Sequence, residues 1–330
     1  MKISVLGAGA WGTALADMLA RKGTETVLWG RDARTVESVN RYHENTSRLP
    51  GVSLCPDLRA ESDPEVSLSG SDVILCAIPT QHMRRALESF REFLPQNPVL
   101  VCASKGIELE SLAPMSRVVA EALDGLHPRY AMLSGPSFAA EVARGLPTSV
   151  SLGCEDHALG HRLQAELSAD RFRVYFTPDF RGVELGGAVK NVIAIAAGIA
   201  DGLDFGHDAR AALITRGLSE MSRLGQAMGA QQSTFMGLSG MGDLVLTCTG
   251  DLSRNRQVGL KLGRGMSLSQ AVDEMGAVAE GVKTTRSLYE LAKKLDVELP
   301  ITEQAYRILY KDKDPARAVM DLMGRSLKDE

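Results

Sequence analysis

The chain has 330 residues, a formal net charge of -4 and a sequence pI of about 5.9. At roughly 150 residues per domain that is room for about two domains, each able to bury a core without disulfides or structural metal. Hydrophobic residues at 44% and charged residues at 24% are ordinary for a globular protein, and the lack of a long basic run excludes nucleic acid as an expected partner. The five cysteines, Cys55, Cys76, Cys102, Cys154 and Cys248, are widely spaced and odd in number. They form no C-x-x-C pair, which argues against a disulfide framework or zinc ribbon and fits a reducing compartment.

The opening apolar run stops at Gly7, too short for a signal peptide. Residues 3–6 read as a strand, 10–22 as a helix and 26–29 as the next strand. Residues 73–78 and 99–103 are continuous apolar runs, as expected of strands covered on both faces. A helix over 81–94 follows Pro79. Residues 131–133 and 149–152 read as further strands, with a helix starting at Phe138 between them. This alternation predicts an α/β fold: a Rossmann-like, doubly wound sheet over residues 1–178. Beyond Thr177-Pro178 the pattern turns helical. Helices are expected over 182–199, 209–228, 267–275, 284–295 and 302–310, giving an all-α substrate-binding and catalytic domain over 179–330. The richest apolar stretch, 192–200, is short of the ~20 residues a membrane span needs, so a cytoplasmic protein without membrane insertion is expected.

Gly7-Ala8-Gly9-Ala10-Trp11-Gly12 matches G-x-G-x-x-G in the required context, after a strand and opening a helix. Gly7 suits the tight turn, Gly9 the approach of backbone to a pyrophosphate, and Gly12 close helix–strand packing. Unpaired N–H groups and the positive dipole end of the helix then face the anion. The second strand ends in Gly30-Arg31-Asp32. Where an acid usually grips the ribose, Gly30 has no side chain and Arg31 suits a 2′-phosphate. NADP(H) is therefore favoured, with Asp32 keeping NAD(H) possible.

Two turns follow strands at the carboxyl side of the sheet, where ligands bind: Ser104-Lys105-Gly106 and Ser134-Gly135-Pro136-Ser137. Lys190 stands in an otherwise apolar helix, where an ammonium is costly unless paired or neutralised, and Asn191 follows it. Gly240-Met241-Gly242-Asp243 implies irregular, closely approached backbone around Asp243. Next come Ser253-Arg254-Asn255-Arg256, of which Arg254 offers a fork for phosphate. His157 and His161, at helical i, i+4 spacing without a zincin glutamate, read as a solvated helix face. No metal site is expected.

Together these segments, with Val278-Ala279-Glu280-Gly281, resemble the NAD(P)-dependent glycerol-3-phosphate dehydrogenases of bacterial type, over residues 3 to about 324. The resemblance implies reversible hydride transfer from NAD(P)H to dihydroxyacetone phosphate, giving sn-glycerol 3-phosphate for glycerophospholipid synthesis. It implies Lys190 as the catalytic acid and base. Lys105, Gly135, Ser137, Lys190, Asp243, Ser253, Arg254 and Asn255 would then bind substrate. Gly7, Gly9, Ala10, Trp11, Gly12, Arg31, Lys105, Ala139, Arg254, Val278 and Glu280 would bind cofactor. Relatives also suggest a homodimer. A two-domain β-hydroxyacid dehydrogenase shares the turn and a lysine–asparagine pair. It is separated by the serine-arginine-asparagine segment and a phosphate requirement. A nucleotide sensor without turnover is the other alternative, and an apolar helix interrupted by lysine argues against it.

Overall fold

The computed structural model describes residues 1–275 and 279–327. Among them, eight strands join in one sheet: β1 (Lys2–Leu6), β2 (Glu25–Trp29), β3 (Arg59–Glu61), β4 (Val73–Cys76), β5 (Val99–Cys102), β6 (Arg129–Ser134), β7 (Thr148–Gly153) and β8 (Phe172–Thr177). Their order is β3-β2-β1-β4-β5-β6-β7-β8. All neighbours are parallel except β6 and β7. The order reverses between β1 and β4, the switch point beyond whose carboxyl ends such sheets bind ligands.

The apolar runs become strands because both of their faces are covered. Val5, Leu75, Val101 and Leu133 enter one core cluster. Leu6, Ile74, Leu100 and Met132, their neighbours along each strand, enter the other. Each such side chain, fully buried, contributes about 1.5–3 kcal/mol relative to exposure. Two strands were not read in the sequence. β3 is a three-residue edge strand with only Ala60 buried, and β8 alternates buried and exposed residues.

The chain divides into two compact units, residues 1–105 with 113–184, and 106–112 with the residues from Leu185 onward. By compactness the division lies inside the Phe180–Gly202 helix, and 106–112 groups with the second unit. That helix is long and apolar enough to cross a membrane by length and composition, longer than the apolar stretch 192–200 read in the sequence. It is also 94% buried in its most apolar window, as a core helix is.

The second unit is built of helices. Its core gathers Val189, Val192, Ile193, Leu218, Met221, Phe235, Leu244 and Leu288. Small residues let two of its helices touch backbone to backbone. A Cβ added to Gly259, in the Arg254–Gly263 helix, would lie 2.0 Å from the Ile195 carbonyl oxygen, and one added to Gly198 would lie 2.1 Å from that of Arg256. This crossing places the start of the Arg254–Gly263 helix beside the helix that carries Lys190.

Candidate active site

In the first unit the turn after β1 has the geometry a dinucleotide needs. Gly7 has φ of +116°, and a Cβ there would lie 2.8 Å from the Ala77 carbonyl oxygen. A Cβ on Gly12 would lie 2.0 Å from the Gly7 carbonyl oxygen, so the Ala10–Arg21 helix packs on the turn only with glycine. Around Gly9, by contrast, no atom lies within 4 Å of an added Cβ, and this helix start has no side-chain cap. Open space beside uncapped N–H groups is what a pyrophosphate requires, so these residues fit a nicotinamide dinucleotide. Ala10 opens the helix and Trp11 follows half-buried, its Nε1 buried without a hydrogen-bond partner.

The end of β2 separates the roles of Arg31 and Asp32. Asp32 caps the Ala33–Tyr42 helix, its carboxylate accepting from the Arg34 N–H at 3.0 Å. Arg31 is exposed. Beyond β5 and β6 the structure brings Lys105, Gly135 and Ser137 together: the Gly135 carbonyl accepts from Lys105 Nζ at 3.0 Å and from Ser137 Oγ at 2.9 Å. A Cβ on Gly135 would lie 2.8 Å from the Val150 Cα, which keeps this turn pressed on β7. Ala139 begins the short Ala139–Ala143 helix just after it.

The second unit carries the titratable centre. Lys190 is 7% exposed and Asp243 1%. Lys190 Nζ donates to Asp243 Oδ1 at 2.6 Å and to Thr247 Oγ1 at 2.9 Å, while the Thr247 hydroxyl donates to the Asp243 carbonyl at 2.6 Å. The apolar helix therefore tolerates its ammonium because a carboxylate and a hydroxyl replace the lost water. Burial pushes the neighbouring Cys248 thiol up to about 12, against the opposing charge of Lys190, so it packs as a neutral thiol.

The backbone before Asp243, expected to be irregular, is a wide π-type turn over Leu238–Gly242 that runs into an Asp243–Thr249 helix. A Cβ on Gly240 would lie 2.1 Å from the Phe235 carbonyl oxygen, the close approach that forces the wide turn. Once that helix is recognised, Thr247 falls four residues from Asp243 on the same face. Reading the stretch as irregular hid this third member of the centre.

Ser253 caps the Arg254–Gly263 helix, its Oγ accepting from the Arg256 N–H at 3.2 Å. Arg254 is exposed at the first turn. Asn255 is buried: its Nδ2 donates to Asn191 Oδ1 at 2.8 Å and its Oδ1 accepts from the Gly281 N–H at 3.0 Å. The carboxamide thus ties the residue after Lys190 to the helix that begins at Glu280. Glu280 is half-buried there, and Val278 lies outside the described residues. His157 and His161 are exposed and pack their rings against Phe176, as a helix face does.

The family description "NAD-dependent glycerol-3-phosphate dehydrogenase N-terminus" matches residues 2–160, and the corresponding C-terminus description matches 179–320. The glycerol-3-phosphate dehydrogenase [NAD(P)+] of Maridesulfovibrio salexigens is 62% identical over 330 residues, covering 100% of both chains. That of Citrifermentans bemidjiense is 54% identical, covering 100% of this chain and 98% of its own. The crystal structure of glycerol-3-phosphate dehydrogenase from Coxiella burnetii superposes with a TM-score of 0.94 at 42% identity, covering 98% of this chain and 99% of that one.

Proposed function

The chain belongs to the NAD-dependent glycerol-3-phosphate dehydrogenase family and reduces dihydroxyacetone phosphate to glycerol 3-phosphate with NAD(P)H, and from that premise we propose that Lys190 is its acid and base. The observation that carries the proposal is the buried Lys190–Asp243 pair at 2.6 Å. As the carbonyl oxygen gains charge, the Lys190 ammonium gives it a proton; in the reverse direction neutral Lys190 takes the proton from the alcohol. Asp243 and Thr247 hold Nζ in one place and compensate its charge. A nicotinamide dinucleotide held by the Gly7–Gly12 turn would supply the hydride in one direction and accept it in the other.

Substrate contacts are assigned to Lys105, Gly135 and Ser137 in the first unit and to Lys190, Asp243, Ser253, Arg254 and Asn255 in the second. Arg254 is the phosphate anchor: an exposed guanidinium at a helix start, where the dipole also favours an anion. Cofactor contacts are assigned to Gly7, Gly9, Ala10, Trp11, Gly12, Arg31, Lys105, Ala139, Arg254, Val278 and Glu280. NADP(H) is preferred, because Arg31 is exposed where the 2′-phosphate would lie while the Asp32 carboxylate is engaged as a helix cap. In this reading the protein is a cytoplasmic homodimer that supplies glycerol 3-phosphate to phospholipid synthesis.

The test follows nicotinamide absorbance with dihydroxyacetone phosphate and with dihydroxyacetone. Wild type strongly prefers the phosphorylated ketone, and Arg254→Ala loses most of that preference. Because Arg254 is also assigned to the cofactor, NADPH affinity is measured in the same variant. Retention of the full preference sinks the phosphate assignment.

A further inference from the structure

Two arginines stand two residues apart at the start of the Arg254–Gly263 helix, and the structure gives them opposite environments. Two residues turn a helix by about 200°, so their side chains leave on opposite sides. Arg254 is exposed, whereas the Arg256 side chain is only 11% exposed. Arg256 Nε and Nη2 meet Asp201 Oδ2 at 2.8 and 2.7 Å, and Nη1 meets Asp251 Oδ1 at 2.9 Å. Asp201 is held from its other side by Arg210, at 3.1 and 3.2 Å.

We propose that Arg256 is a positioning residue: clamped to Asp201, it holds the 253–255 turn against the helix that carries Lys190 and so sets where Arg254 can meet a phosphate. The proposal rests on the assignment of Arg254 as phosphate anchor.

Three features of the same residue support it. Its side chain reaches Asp201 while its own carbonyl abuts Gly198, three residues earlier on the same helix. Side chain and backbone of one residue therefore grip one stretch of the Lys190 helix, and that double grip fixes both the separation and the rotation of the two helices. Its N–H is the donor that the Ser253 Oγ accepts at 3.2 Å, so the cap of the turn is built on it as well. Asp251, the other carboxylate it holds, is 91% exposed. That ion pair is screened by water and contributes little, which leaves Asp201 as the partner that matters. Lysine cannot replace this arginine, because one ammonium cannot present Nε and Nη2 to one carboxylate while Nη1 turns to another.

The experiment uses the full-length enzyme and five variants: Arg254→Ala, Arg256→Gln, Arg256→Lys, Asp201→Asn and the double variant Asp201→Asn/Arg256→Gln. Each is assayed with dihydroxyacetone phosphate and with dihydroxyacetone. Arg256→Gln is expected to raise KM for the phosphorylated ketone about tenfold, an order-of-magnitude figure for a displaced anchor, and KM for NADPH is measured alongside because Arg254 is also assigned to the cofactor. Arg256→Gln shrinks the preference for the phosphorylated substrate in the direction of Arg254→Ala. Asp201→Asn, which keeps the side-chain shape, does the same. Adding Arg256→Gln to it costs less than about a further twofold, because the contact is already gone. Should Arg256→Gln fail to fold, Arg256→Lys and Asp201→Asn carry the same comparison. A merely structural role lowers thermal stability and active fraction but leaves the substrate preference of the folded enzyme intact. That outcome overturns the proposal. If Arg254→Ala itself keeps the preference, the anchor assignment falls; loss with Arg254→Ala but with none of the Arg256 or Asp201 variants overturns the positioning role alone.

Discussion

Lys190→Ala separates catalysis from stability, because the lysine is the proposed acid and base and is also one half of a buried ion pair. The substitution removes the ammonium that sits 2.6 Å from Asp243 Oδ1 and 2.9 Å from Thr247 Oγ1. Loss of a general acid and base typically costs about 10²- to 10⁴-fold in rate, or about 2.7–5.5 kcal/mol of barrier. Asp243 is 1% exposed, so it also loses its cation in a dry site. Removing one partner of such a buried pair destabilises by about 3–5 kcal/mol. The double variant Lys190→Ala/Asp243→Asn removes the stranded charge as well. It recovers a good part of the stability and none of the rate. The assays are kcat from nicotinamide absorbance, NADPH affinity by direct titration, and the denaturant midpoint of each variant. A folded, cofactor-binding Lys190→Ala enzyme with kcat within tenfold of wild type refutes the assignment. A double variant no more stable than Lys190→Ala refutes the electrostatic account of the pair.

Arg31→Ala is expected to weaken NADPH binding by tenfold or more, the order of one charge-assisted contact, and NADH binding much less; equal losses for the two cofactors contradict the 2′-phosphate role. Gly259→Ala drives a methyl to 2.0 Å from the Ile195 carbonyl oxygen, so the two helices must part; overpacking of this kind costs about 1–3 kcal/mol, read as a lower denaturant midpoint, and an unchanged midpoint refutes the close crossing. Glu220 is buried and accepts from the Thr302 N–H and hydroxyl at 3.2 and 3.0 Å, and burial pushes its carboxyl up to about 7. A raised folded pKa contributes stability that is fully present below the unfolded value near 4.5 and is lost as pH rises through about 7. Between pH 5 and 8 wild type should therefore lose on the order of 3 kcal/mol that Glu220→Gln does not lose, and parallel pH profiles for the two proteins contradict the shift.

Much of the sheet was legible because its signals are local. Continuous apolar runs at 73–78 and 99–103 required cover on both faces, and β4 and β5 have it. The glycine turn was legible for the same reason: a tight turn, an open backbone and a close helix contact each demand glycine at one position, and Gly7, Gly9 and Gly12 show those three environments. β3 escaped because a three-residue edge strand buries little, and β8 because its alternation spans only four residues before both faces become half-buried.

The chemistry divides along the same line. Sequence by itself determined that Lys190 needed an exceptional environment, since an ammonium in an apolar helix is costly whatever surrounds it, and it offered Arg254 as a fork able to hold a phosphate. Only the tertiary structure decided what that environment is. Asp243 and Thr247 lie 53 and 57 residues from Lys190 along the chain, and no local periodicity connects groups that far apart. The structure also showed what Arg256 does beside Arg254, clamping Asp201, and engaged Asp32 as a cap while leaving Arg31 exposed. Residue type states what a side chain is able to bind. Which partner it meets depends on the packing of distant helices, and here on glycines that let two backbones touch.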